Sequence, residues 1–196
     1  MIERSEERDA AIRATLPHVP VLGWTRAALA AGLRDLGLDP LEAEWLFPRG
    51  PAEVVETWCD LADREMEAQA RQEDLLALRI RDRIRRVVTI RLEQAEPHRE
   101  AVRRALALQA LPWNLLSALR TVARTADSMW AAAGDTSADF SWYTRRATLS
   151  AVYGATLAFW LQDEEPGFPA TRAFLERRLR DLARLQRPRR PAQRTA

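Results

Sequence analysis

Residues 134–160 read GDTSADFSWYTRRATLSAVYGATLAFW and constrain the fold more than any other stretch. A glycine stop and a short polar loop lead into a helix that changes character midway. Trp142, Tyr143, Arg145 and Arg146 make a mixed aromatic and basic first turn. From residue 147 to residue 161 almost every side chain is apolar or small. A helix without a polar face has to be covered on every side. The chain's own core can supply one cover; a second subunit, a bound lipid or a partner protein has to supply the other.

The rest of the chain also reads as helix. Pro and Gly fall between periodic segments, and no stretch alternates with period two for long. Helices are expected over residues 4–15, from the N-cap Thr25 to the stop at Gly37, and over a short piece opened by Asp39, Pro40 and Glu42, whose types and spacing match a capping box. Pro51, Pro97 and Pro112 each open a further helix. Another, near residues 80–92, carries Ile80, Ile84, Val87, Val88 and Leu92 as a stripe with arginines, Arg91 among them, around it. After Pro166 and Gly167 a last helix follows, then a basic tail, residues 188–196, expected to be disordered. The predicted fold class is all-α, about nine helices. The predicted divisions are a helix-turn-helix-like unit at 1–48, a helical body at 49–165 that binds ligand and dimerises, and an amphipathic helix at 166–187.

Composition narrows the function. No apolar run is long enough to span a bilayer. The single cysteine, Cys59, cannot pair within the chain. The acidic N-terminus suits neither a secretory signal nor a mitochondrial transit peptide, so a cytosolic protein or a processed form is expected. The small net charge of +2 hides an asymmetry. Residues 1–74 hold 8 Arg against 16 Asp and Glu, whereas residues 75–196 hold 22 Arg against 12.

Several motifs are informative by what they lack. Residues 24–48 have the order of a helix-turn-helix, similar to the tetracycline-repressor family. The would-be recognition helix, PLEAEWLF at 40–47, carries two acids and no basic residue. It has nothing to neutralise phosphate, so no nucleic-acid partner is expected and a ligand-responsive regulator is the weaker reading. His18 and His98 have no ligand partners at metal-site spacing, and no nucleophile motif or phosphate loop is present. No catalytic residue, metal or cofactor is expected, and the protein is read as no enzyme.

The 134–160 segment closely resembles the signature of the ubiquinone-biosynthesis accessory family, the ninth protein of the coenzyme Q series. Weaker likeness runs in the same order through ATLPHVP at 14–20, GWT at 23–25, LFP at 46–48, LRIRDRI at 78–84 and PHREAVRRALAL at 97–108. Ser141 replaces the family's usual Asn and Ala138 a frequent Thr. The resemblance implies a tetracycline-repressor-like fold without DNA function. It implies a pocket for an isoprenoid quinone precursor or other lipid, presented to the di-iron demethoxyubiquinone hydroxylase. The patch facing that partner would be Asp139, Trp142, Tyr143 and Arg146.

Helical spacing on the two adjacent apolar helices places Leu116, Leu119, Met129, Trp130, Val152, Tyr153, Leu157 and Trp160 as candidate cavity residues. An obligate homodimer would use the same apolar surplus. In the last helix Phe168, Leu175, Leu179 and Leu182 form a stripe with Arg172 and Arg178 on other faces. A basic amphipathic helix of this kind suits an anionic membrane surface, and equally a solvated face on a packed helix; the resemblance favours the membrane. The expected location is the bacterial cytoplasm, peripheral on the inner membrane, or the matrix side of the mitochondrial inner membrane.

Overall fold

A computed structural model describes residues 2–135 and 141–185, with the backbone alone at 141–143 and 183–185. Among the described residues there are helices and no strand: α1 (Glu6–Thr15), α2 (Val19–Leu22), α3 (Arg26–Asp35), α4 (Ala43–Leu46), α5 (Pro51–Arg71), α6 (Ile80–Ala95), α7 (Arg99–Gln109), α8 (Leu115–Ala132), α9 (Ser141–Trp160) and α10 (Pro169–Leu185). The starts follow from local chemistry. Ser5 and Thr25 accept hydrogen bonds from the backbone N–H groups of Arg8 and Ala28. Asp39 and Glu42 close the expected capping box in both directions. Three further prolines, Pro40, Pro97 and Pro112, sit in single 3-10 turns that run straight into α4, α7 and α8. One short helix was not foreseen. Pro17 and Pro20 look like a break, but each occupies a first helical turn, where no N–H is needed, so α2 forms between them and Gly23.

α5 lies at the centre, packed on α8 and α6, with α1 on its other side. α9 packs on α8, and α10 lies across α9 and α6. The N-terminal unit is tight: α3 crosses α1 at Gly32, where a Cβ would stand 2.7 Å from the backbone nitrogen of Thr15. Ion pairs join α1 to α5. The buried Arg8 donates to Glu53 at 2.9 Å and to Thr57 at 3.3 Å, and lies over the Phe47 ring. Arg64 forks onto Asp9 at 2.7 and 2.8 Å, and Arg4 forks onto Asp60 at 2.7 and 2.9 Å. Part of the acidic surplus of residues 1–74 is therefore internal, matched to arginines across this seam. Arg8 and Arg49 draw the Glu53 carboxyl below its ordinary range against the opposing effect of burial.

α9 divides into two faces. Leu149, Val152, Tyr153, Thr156 and Trp160 are buried. The opposite face is a strip of small exposed residues, Ala147, Ala151, Gly154, Ala155 and Ala158. The all-round cover expected from sequence is thus, among the described residues, a cover on one side. α10 is held at its start as well as along its length. Asp163 accepts from the Thr171 N–H and hydroxyl at 2.7 Å each. Arg99 donates to the carbonyls of Trp160 and Asp163 and lies over the Trp160 ring.

Candidate functional site

Where α6, α8, α9 and α10 meet, a cleft of about 150 Å³ opens. Its walls are Ile80, Ile84, Trp130, Leu149, Leu179 and Leu182, with Arg81, Arg145 and Thr148 at the rim. Trp130 Nε1 is buried here without an acceptor among the described residues. The cleft exists because α10 lays its leucines toward α9 and α6 while its arginines Arg172, Arg177, Arg178 and Arg180 stay exposed.

The eight candidate cavity residues do not come together as expected. Trp130 alone lines the cleft under α10. Tyr153 and Leu157 line a second, smaller space between α5, α7, α8 and α9. Met129, Val152 and Trp160 are packed in the core. Leu116 and Leu119 face outward, 68% and 59% exposed, beside the exposed Trp113 and Leu115. The correction has a simple cause. Apolar spacing on α8 continues past the point where α5 covers it, so the first turns of the helix carry leucines with none of the described residues above them.

Of the six candidate membrane contacts, Arg172 and Arg178 are exposed, whereas the apolar four, Phe168, Leu175, Leu179 and Leu182, are placed differently. The first three are buried, and Leu182 is partly buried against the core. Their stripe is part of the fold, and only the basic face of α10 looks outward. Arg172 reaches Glu93 on α6 at 2.9 Å, and Arg178 pairs with Asp181 at 3.1 Å. Of the partner patch, Asp139 and the side chains of Trp142 and Tyr143 lie outside the described residues. Arg146 is half-buried and pairs with Asp127 of α8. Its neighbour Arg145 pairs with Asp135 at 3.5 Å and stands at the rim of the cleft.

A polar group unmarked in the sequence reading lies at the centre. Asp63 of α5 is 2% exposed and Arg91 of α6 is 7% exposed. Arg91 Nε donates to Asp63 Oδ1 at 3.4 Å, and the Thr125 hydroxyl donates to Asp63 Oδ2 at 2.8 Å. Burial pushes the Asp63 carboxyl up to about 6, with Arg91, Thr125 and Arg124 acting against it. Burial likewise pushes the Tyr153 phenol to about 12 and the Cys59 thiol to about 11, so both stay protonated near neutrality. The signal was present: Arg91 follows Ile84, Val87 and Val88 on the inward stripe of α6, where a charged residue should be buried and paired. Among the described residues no three His, Cys, Asp or Glu side chains are grouped to hold a metal. No described helix is long and apolar enough to cross a membrane.

The fold is TetR-like. The crystal structure of the TetR transcriptional regulator from Nitrosomonas europaea matches it with a TM-score of 0.73, covering 91% of this chain and 99% of that one at 24% identity. That likeness is one of fold alone, and the short helix α4 at the position read as a recognition helix has an acidic and aromatic outer face. There Trp45 is 86% exposed and Glu44 is paired with Arg26 at 2.7 Å.

In sequence the chain is similar to COQ9 proteins. The COQ9 family model matches residues 115–186. The ubiquinone biosynthesis protein COQ9, mitochondrial, of Homo sapiens is 36% identical over 177 residues, 87% of this chain and 55% of that protein. Its counterpart in Drosophila melanogaster is 32% identical over 88% of this chain and 54% of its own length. That of Schizosaccharomyces pombe is 32% identical over 84% of this chain and 65% of its own length. The chain thus spans between about half and two thirds of these relatives. The resemblance first read at residues 134–160 extends over most of it.

Proposed function

We propose that this chain is a non-enzymatic accessory protein of ubiquinone biosynthesis that binds a polyprenyl quinone precursor or a related lipid. It offers that lipid to a membrane-associated di-iron hydroxylase. The observation that carries the reading is the apolar cleft of about 150 Å³ beneath α10, closed by Leu179 and Leu182 and backed by outward arginines. A space of this size lined by aliphatic and aromatic side chains is large enough for an apolar group. The arginine face beside it suits an anionic membrane surface, at about 1 kcal/mol for each basic residue close to the headgroups.

Two further features support the reading. The COQ9 relatives are named as ubiquinone biosynthesis proteins. The rim residues Arg145 and Thr148 lie within two turns of Trp142, Tyr143 and Arg146 on the same helix, so the cleft opens beside the proposed partner patch. The exposed Leu115, Leu116 and Leu119 and the small-residue strip of α9 would pair with a second copy in a homodimer.

The test is native mass spectrometry together with lipid extraction of the purified protein. An isoprenoid lipid at near-stoichiometric amount, displaced when Leu149→Trp fills the cleft, is expected. Protein free of lipid, with wild-type and filled variant indistinguishable, would defeat the proposal.

A further inference from the structure

Arg91 is a buried cation that the core leaves partly unpaired. It is 7% exposed, and of its five N–H donors only Nε meets an acceptor among the described residues, Asp63 Oδ1 at 3.4 Å. Its two terminal nitrogens make no hydrogen bond among those residues, yet neither is sealed in the packing, so they border open space. Arg91 lines two hollows. The one toward α7 and α8, of about 60 Å³, has room for little more than water. The one between α1, α5 and α6, of about 190 Å³, has room for a body the size of one six-membered ring, since an apolar cavity of about 150 Å³ takes up benzene.

The walls of the larger hollow define what fits it. Leu16, Trp58, Leu61, Ala62 and Ala95 make one side apolar. The charged groups on the wall are Arg13, Glu65 and Arg91. Arg13 donates to Glu65 at 2.7 Å, which cancels both charges, and burial lowers the His98 pKa, so that ring is neutral near pH 7. One positive charge is left on the wall, that of Arg91. Asp63 opposes it from behind: it lines neither hollow, and its second oxygen accepts from Thr125 at 2.8 Å. A dianion would exceed that single charge, and an apolar body alone would leave the terminal donors unpaired. A monoanion with two acceptors side by side matches them, and a carboxylate is that group.

We infer that the hollow between α1, α5 and α6 binds a small monocarboxylate, its two oxygens accepting from the terminal nitrogens of Arg91 and its compact apolar body lying against Trp58 and Leu61. The site is separate from the cleft under α10 and does not rest on the lipid reading. Its mouth is open to water, because Arg13 and Glu65 are 55% and 44% exposed.

Asp63 couples the site to pH. Around the Arg91–Asp63 pair stand Arg124 and Thr125 of α8, Cys59 of α5 and Tyr153 of α9, and the last two stay protonated near neutrality. Asp63 titrates at about 6, and a proton taken up there removes the internal counter-charge of Arg91 and leaves the ligand as its partner. Affinity should therefore rise as pH falls from about 8 to about 6, where a free carboxylate is still ionised.

The probes are cyclohexanecarboxylate, its neutral amide cyclohexanecarboxamide, and chloride, titrated by calorimetry at both pH values. Wild type should bind the carboxylate about tenfold or more tightly than the amide, as expected for hydrogen bonds between two charged groups rather than one. It should bind the carboxylate several-fold more tightly at the lower pH. Asp63→Asn should bind it several-fold more tightly than wild type at the higher pH and lose the pH dependence, a gain that a disturbed core would not produce. Arg91→Met combined with Asp63→Asn, which leaves no lone buried charge, should bring the preference for carboxylate over amide close to one. If that double variant fails to fold, Asp63→Asn still decides. Equal binding of carboxylate and amide by wild type, or an affinity untouched by Asp63→Asn, overturns the site. Chloride bound as tightly as cyclohexanecarboxylate overturns the role of the apolar wall and leaves a bare anion site. Failure to bind any probe overturns the inference and leaves the lipid reading, which rests on the other cleft, standing.

Discussion

Removing α10 should unfold the protein rather than release a membrane anchor from an intact body. Phe168, Leu175 and Leu179 are 0%, 1% and 6% exposed. Full burial of such a side chain contributes about 1.5–3 kcal/mol, so the three together contribute roughly 5–9 kcal/mol. A domain is stable by only about 5–15 kcal/mol in total. Ending the chain after Gly167 would also strand Asp163, which has lost both of its Thr171 donors. A single Leu175→Ala change should cost about 2–5 kcal/mol through the lost burial and the cavity left behind. Urea unfolding followed by circular dichroism measures both. Leu175→Ala is expected to lower the midpoint by about 1–2 M, and the truncated chain to show no cooperative transition. A truncated protein that unfolds at the full-length midpoint would refute the reasoning, because α10 would then contribute nothing to the core. The same arithmetic bears on the membrane. With Leu175 and Leu179 in the core, the outward face of α10 is dominated by its arginines, and binding to anionic vesicles should fall steeply with salt.

Other outcomes follow from particular contacts. Gly32→Ala should destabilise by about 1–3 kcal/mol in thermal unfolding, since the added methyl meets backbone of α1 and that overpacking exceeds the gain in helix propensity. Asp63 titrates near 6 in the folded protein and near 4 when unfolded, so the stability held while it is protonated is lost as pH rises through 6. Asp63→Asn, compared with wild type by urea unfolding, should therefore gain on it by about 1 kcal/mol between pH 5 and pH 7; a constant difference would count against a buried carboxyl there. Trp142→Ala should weaken association with the hydroxylase by about 2 kcal/mol in a binding titration with the circular dichroism spectrum unchanged. Leu116→Asp with Leu119→Asp should shift a dimer to monomer in light scattering, and a dimer unmoved by both changes would place the subunit contact elsewhere.

The helix order was legible because this chain punctuates itself. Thr25, Asp39 and Pro51 mark starts that the structure keeps, and Gly37 and Gly134 mark stops. What could not be read was which surface covers each apolar stripe. Periodicity identifies a face; it does not say whether that face meets the same chain, another molecule or solvent. Hence α10 turned out to be packed inward, Leu116 and Leu119 turned out to be exposed, and the cavity residues were divided between two spaces and the core. The partner of each buried charge was not legible for a related reason. Arg8 with Glu53, and Arg91 with Asp63, are 45 and 28 residues apart, so only the packing of α1 and α6 on α5 brings each pair together.

The seam between α1 and α5 bears on what a fold of this class can communicate. A regulator must turn occupancy of its body into a displacement of its N-terminal helices, and a ligand can shift such an equilibrium only by its difference in affinity for the two positions. Sliding α1 along α5 would part Arg8 from Glu53, a separation that costs about 3–5 kcal/mol when both charges are buried. It would also part Arg4 from Asp60 and Arg64 from Asp9. A ligand would need a preference of several hundredfold or more for the displaced state merely to break even. The seam therefore acts mechanically as a weld: occupancy of the body stays a local event, legible to another molecule only where that molecule touches the surface beside it.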